Sequence, residues 1–261
     1  MEALFVALSL FLSLCGCKSI PQAHVEPTPP LALTTSEAER ARREGMTLWE
    51  QQPHNLARAT EAAHRLEQAA RTLRDNYDAQ WEAAQAYSFV SENAPDINTR
   101  RATAKTGIAF AQRAQTLRAD GVEGHYWYAI NVGLLADVER SHGLAAVGEM
   151  ETALKRAIEI DERYDYAGPL RVLGILYLRT PPPPISIGSA RKGLRMLQRA
   201  VELVPDYPEN YLYLAESLRD NHRRDEARDA LQKVLDASPW PDRQFESSQW
   251  KADAEKLLQK L

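Results

Sequence analysis

Two apolar patterns divide this chain. From residue 3 to residue 14 it is almost wholly apolar, Ala3-Leu4-Phe5-Val6-Ala7-Leu8-Ser9-Leu10-Phe11-Leu12-Ser13-Leu14. From Thr35 onward apolar residues recur at helical spacing, in blocks of helix length separated by short breaks. Glycine is sparse, and Ala, Leu, Glu, Arg and Gln dominate, a balance that favours helix over sheet. The blocks predict a helix pair over 37–51 and 56–73 and a last amphipathic helix over 247–261.

The blocks repeat. Gly193, Leu197, Ala200 and Pro205 recur as Ala227, Leu231, Val234 and Pro239, each 34 residues later, the tetratricopeptide period. The intervening helix carries Tyr211, Leu214, Ala215 and Leu218 where that repeat expects large, aliphatic, small and large residues. The small residue lets paired helices approach, and the proline ends the second helix because it supplies no interior N–H. A weaker echo runs backward: Ala70, Ala114, Ala157 and Ala200 open similar helix ends at spacings of 44, 43 and 43. The extra length is expected mostly in loops, at 93–95, 141–143 and 181–187. First helices are marked by Trp81 with Tyr87, by Trp127 with Gly133, and by Leu173-Gly174 with Tyr177. The expected fold is all-α, a solenoid of about five tetratricopeptide-like helical hairpins plus a C-terminal capping helix. The repeat domain is expected over 36–240 and the cap over 241–261.

Such a stack has a concave face, the usual binding surface of a solenoid. In the repeat register Trp81, Gln85 and Phe89, then Trp127, Asn131 and Leu134, then Arg171, Ile175, Tyr213 and Glu216 fall on it. An aromatic wall holding Asn and Arg suits an amphipathic ligand or a peptide, with Arg171 as the receptor for an anionic end. The same aromatics could instead pack between hairpins. The run Arg179-Thr180-Pro181-Pro182-Pro183-Pro184-Ile185-Ser186-Ile187-Gly188 is expected to form a rigid polyproline segment, either a stiff spacer or a lid or subunit contact, with Ser189 capping the next helix.

The N-terminal apolar run is too short to span a bilayer, which takes roughly 20 residues, and suits a secretory signal. It ends in Leu14-Cys15-Gly16-Cys17, which resembles the bacterial lipobox and predicts a signal over 1–17 with lipidated Cys17 as the mature N-terminus. The alternative is an ordinary cleaved signal with two incidental cysteines. Glu2 with no Lys or Arg departs from the usual n-region. Lys18 after the anchor favours the outer membrane by likeness to Gram-negative sorting. Residues 18–35, with Pro21, Pro27, Pro29 and Pro30, read as a tether.

Charge and chemistry change this picture little. The net charge is −4 with acids and bases interspersed, so nucleic acid is not an expected partner. The only cysteines, Cys15 and Cys17, lie in the leader, which removes disulfides and thiolate zinc from the folded part. None of the six histidines makes a recognisable metal pattern, and no GxSxG, Walker or GxGxxG motif occurs. Neither a cofactor nor an enzyme activity is expected.

The stretches Tyr126-Trp127-Tyr128-Ala129-Ile130-Asn131-Val132-Gly133 and Tyr164-Asp165-Tyr166-Ala167-Gly168-Pro169-Leu170-Arg171-Val172-Leu173-Gly174 resemble the T-component family of tripartite ATP-independent periplasmic (TRAP) transporters. So do Pro184-Ile185-Ser186-Ile187-Gly188 and Pro205-Asp206-Tyr207-Pro208-Glu209-Asn210. The likeness covers roughly residues 36–240. Ser189 stands where the family loop commonly carries an acid. The resemblance implies an envelope lipoprotein of irregular repeats, facing the periplasm, working beside a periplasmic solute-binding protein and forming a homo-oligomer with a ligand-accessible channel. The competing expectation is an envelope scaffold that mediates protein–protein assembly without a small-molecule ligand.

Overall fold

A computed structural model describes residues 33–139 and 143–261. Cys17, the leader and nearly all of the tether lie outside the described residues, as do Ser141 and His142. The described residues form helices and no strand, in five antiparallel hairpins. These are α1 (Thr35–Trp49) with α2 (Leu56–Thr72), α3 (Tyr77–Asn93) with α4 (Ile97–Leu117), and α5 (Val122–Val138) with α6 (Gly143–Asp161). Then come α7 (Tyr164–Arg179) with α8 (Ala190–Leu203), α9 (Pro208–Asp220) with α10 (Arg224–Asp236), and a final helix α11 (Gln244–Leu258).

Local chemistry sets the helix starts. Thr34 opens α1 in a capping box, its side chain accepting from the Glu37 N–H while the Glu37 carboxylate accepts from the Thr34 N–H. Asn55, Asn76, Asp96 and Ser189 accept from the third backbone N–H of α2, α3, α4 and α8. The 34-residue repeat then fixes the packing. Gly193, Leu197 and Ala200 on α8 and Ala227, Leu231 and Val234 on α10 are all buried, each set facing the first helix of its own hairpin.

The longer spacing farther upstream has a different origin from the one expected. Helix α4 has 21 residues and α6 has 19, against 13 in α10, so the first hairpins are lengthened in their helices. Only the fourth hairpin takes its extra length in a loop, and that loop is not an extended polyproline segment. It turns back on itself, the Ile185 N–H donating to the Pro182 carbonyl at 3.1 Å and the Gly188 N–H to that of Pro181 at 2.9 Å. Ile185 projects from the turn, 66% exposed.

The first helices α1, α3, α5, α7 and α9 pack side by side, α11 continues the row against α9, and each second helix sits between two members of that row. Two apolar cores result, one running from α2 to α7 and one from α8 to α11, joined by a small cluster of Ala167, Leu170, Ala200 and Leu203. Arg42 on α1 grips buried Glu82 on α3 through two parallel bonds of 2.7 and 2.6 Å, fixing the first hairpin to the row. Among the described residues no helix is long and apolar enough to cross a membrane.

Candidate functional site

The inner row curves until the start of α11 approaches the first two hairpins: the Phe245 ring lies 6.0 Å from Phe89 on α3, edge to face, and Glu246 Oε1 lies 3.7 Å from His54 Nδ1 in the α1–α2 connection. This approach narrows the concave face to a cavity of ≈ 310 Å3, within the size range of small-molecule sites.

A left-handed turn builds one wall. Asp165, Tyr166 and Ala167 have φ of 47°, 57° and 64° before α7 continues through Gly168 and Pro169. Three successive L-residues there cost roughly 1–2 kcal/mol each. Proline is tolerated at Pro169 because the first turn of the continuing helix needs no N–H there. The turn aims the Asp165 carboxylate inward, where it accepts from the Tyr126 hydroxyl (2.7 Å) and pairs with Arg243 (2.7 Å) and Arg171 (3.4 Å). Gly168 makes room for this, since a Cβ there would stand 2.6 Å from the Tyr126 hydroxyl oxygen. The Tyr166 ring stacks on Tyr207 at 4.5 Å, and Tyr207 in turn meets Trp240 and Trp250 edge-on. Two stretches far apart in sequence, 164–171 and 207–210, thereby form one cluster.

Arg171 is the hub, 4% exposed. Its Nε pairs with Glu209 at 3.0 Å, and its Nη1 donates to Asn210 Oδ1 at 3.0 Å and to the Tyr166 carbonyl at 3.2 Å. Burial acts against its charge, but Glu209, Tyr126, Tyr207 and Asp165 outweigh that and hold the guanidinium protonated. Its donors are therefore engaged internally, which removes it as a free receptor for a ligand carboxylate. Burial raises the Glu209 carboxyl above its ordinary range, a shift that Arg171 offsets only in part.

Of the concave-face candidates, Gln85, Phe89, Trp127, Leu134, Arg171, Ile175 and Tyr213 line the cavity. Three do not. Trp81 packs against the main core and donates its indole N–H to Asp78 (3.2 Å). Asn131 is 0% exposed and staples α5 to α3, donating to the Ala84 carbonyl at 3.1 Å. Glu216 pairs with Arg179 at 2.9 Å. Trp81 and Asn131 turn away from the cavity because α3 and α5 bury most of their circumference against neighbouring helices.

The remaining lining comes from places the repeat pattern does not mark: Trp49 and His54 at the first hairpin's tip, and Arg243, Phe245, Glu246 and Trp250 at the start of α11. Glu92 also lines it, three residues beyond Phe89 and seven beyond Gln85, on a stripe readable from helical spacing. Its side chain is exposed toward the cavity. Partial desolvation by the surrounding wall, with the like charges of Glu209 and Glu246, raises its carboxyl to about 7. No group of three or more His, Cys, Asp or Glu among the described residues could hold a metal ion.

Comparison with known proteins agrees with this architecture. Residues 48–177, from the end of α1 to the body of α7, match a family model described as "RMD1-3: Regulator of microtubule dynamics protein 1-3". A thermophilic tetratricopeptide protein of Thermus thermophilus, TTC0263, is similar over 84% of this chain and 99% of its own, with a TM-score of 0.61 at 18% identity. PilF of Pseudomonas aeruginosa is similar over 86% of this chain and 91% of its own, with a TM-score of 0.56 at 14% identity. The MamA protein is similar over 84% and 93%, with a TM-score of 0.50 at 15% identity. At these identities the likeness is one of fold, and the fold is a tetratricopeptide-like solenoid. A comparison with curated proteins finds no match to the sequence.

Proposed function

We propose that this chain is a ligand-holding interaction module of a bacterial envelope, lipid-anchored through Cys17, that serves as an accessory component of a TRAP-type solute uptake system. The observation that carries the reading is the concave pocket that the start of α11 narrows as it approaches the first two hairpins. Its volume of ≈ 310 Å3 and its mostly aromatic and aliphatic wall suit a small molecule. The outer surface of the solenoid stays available to a protein partner, for which a periplasmic solute-binding protein is the candidate. The stretches that resemble the TRAP T-component family support this choice, because 164–171 and 207–210 meet at the cavity wall.

The test is co-purification of the full chain from its native envelope, followed by native mass spectrometry. A solute-binding protein in the eluate, and a small molecule released only on denaturation, are the expected results. A protein assembly with no solute-binding member and no releasable small molecule would replace this reading with that of an envelope scaffold.

A further inference from the structure

Once the ion pairs at the cavity are drawn, two acids are left over. Four arginines line it, and each is matched: Arg100 by Asp137 at 2.7 Å, Arg179 by Glu216 at 2.9 Å, and Arg171 and Arg243 by Glu209 and Asp165. Glu92 and Glu246 line the same wall with no Lys or Arg paired to them among the described residues. The Oε2 atom of Glu246 is buried and has no hydrogen-bond partner.

A second observation is independent of those acids. The His54 side chain is 5% exposed and lines the cavity. Its Nε2 is engaged by the Trp49 carbonyl and the Gln52 amide, each at 2.8 Å, while its Nδ1 is buried, has no hydrogen-bond partner and faces Glu246. Two buried polar atoms, Nδ1 of His54 and Oε2 of Glu246, therefore belong to side chains on the cavity wall and lack a hydrogen-bond partner. Buried polar groups left this way are costly, and a site that supplies the missing partner recovers that cost.

Aromatic rings complete the arrangement. Trp49 and Phe89 lie 5.9 Å apart at 86°, His54 and Phe89 5.2 Å apart, and Phe245 closes the group from α11. Glu92 follows Phe89 by one helical turn, and Glu246 follows Phe245 directly. Carboxylates beside aromatic faces are the environment that attracts an alkylammonium, by charge and by the ring quadrupole together.

We infer that the cavity holds a small organic ammonium ion, its nitrogen toward Glu92, Glu246 and His54 and its alkyl portion against Trp49, Phe89 and Phe245. This rests on the reading of the cavity as a small-molecule site, and it replaces the carboxylate-bearing ligand expected from Arg171. Trp250, 2% exposed and also on the wall, carries an unpartnered indole N–H. An oxygen elsewhere on the ligand would accept from it.

Three probes of one length separate the head-group chemistry: hexylammonium, hexanoate and hexan-1-ol, titrated into the full chain at pH 8 by calorimetry. Hexylammonium is expected to bind at least about tenfold tighter than the other two, the equivalent of roughly 1.4 kcal/mol. Glu246→Gln and Glu92→Gln are each expected to weaken hexylammonium about tenfold while leaving hexan-1-ol unchanged. Hexanoate or hexan-1-ol binding as tightly as hexylammonium overturns the ammonium assignment and leaves the cavity reading standing. No binding of any probe to a chain that melts cooperatively overturns both. The comparison of the three probes on the unmutated chain decides the matter even if a variant fails to fold.

Discussion

Asp165 and Arg243, 78 residues apart in sequence, meet at 2.7 Å inside the solenoid. The contact joins the left-handed turn that starts α7 to the residue that precedes α11, and it sits where the curved row closes. Asp165 simultaneously holds Tyr126 and Arg171, so one carboxylate serves two buried guanidinium groups. Replacing it with Asn keeps a residue that tolerates left-handed backbone and removes only the charge. Asp165→Asn is expected to lower stability by about 3 kcal/mol, because buried arginines lose their counter-charge. Urea unfolding with an unchanged slope would show it. A loss within experimental error would mean that the cluster does not hold the closure.

How much of this was legible in the sequence depends on the range of the interaction. The hairpins were, since Leu197 and Leu231 or Ala200 and Val234 repeat local packing that depends on spacing alone. So was much of the concave stripe, from Gln85 and Phe89 to Arg171 and Tyr213. The engagement of Arg171 was not, because its partners Glu209 and Asn210 come from another hairpin and Asp165 reaches it only through a left-handed turn that no spacing announces. His54 and Glu246 were invisible for a stronger reason. They meet only because small rotations summed over five hairpins bring the ends together.

Gly107 and Asn131 offer a test of how tightly α4 is seated on α5. A Cβ at Gly107 would stand 2.1 Å from Asn131 Oδ1, and Asn131 is fixed by bonds to the Ala84 and Trp127 carbonyls. Gly107→Ala is expected to cost about 1–3 kcal/mol by overpacking. Asn131→Ala is expected to cost a similar amount, about 1–3 kcal/mol, by removing two buried hydrogen bonds and the tie between α5 and α3. The two together should cost clearly less than their sum, since truncating the Asn131 side chain leaves room for the new methyl. Additive losses in a double-mutant cycle would show that the methyl is accommodated without touching Asn131.

The Glu92 carboxyl, raised to about 7 from 4.5, gives the fold a pH dependence of definite sign. Between those values the folded chain binds more protons at this position than the unfolded chain, so the contribution to stability falls as pH rises from about 4.5 through 7. Glu209 from α9 and Glu246 from α11 face Glu92 and add to the shift, while Arg100 from α4 opposes it. Because Glu92 is exposed, solvent screens part of the effect. Melting curves of the wild type against Glu92→Gln should diverge across this window, with the variant gaining relative stability toward pH 8. Parallel curves would place the Glu92 carboxyl in the ordinary range.

The seam between α11 and the first two hairpins should be the first part of the ring to open. It is held by the Phe245–Phe89 contact and the Glu246–His54 approach, whereas the row from α3 to α7 shares a continuous apolar core. Phe245 is only partly buried, so Phe245→Ala is expected to remove about 1–2 kcal/mol of apolar contact, less than truncation of a fully buried ring. The loss should be local. Hydrogen exchange should quicken in the first turn of α11 and in residues 50–55, with α3 to α6 unchanged, because those segments open independently of the core. If exchange rises uniformly through α3 and α5 as well, the closure is part of the cooperative unit and not a seam laid over it.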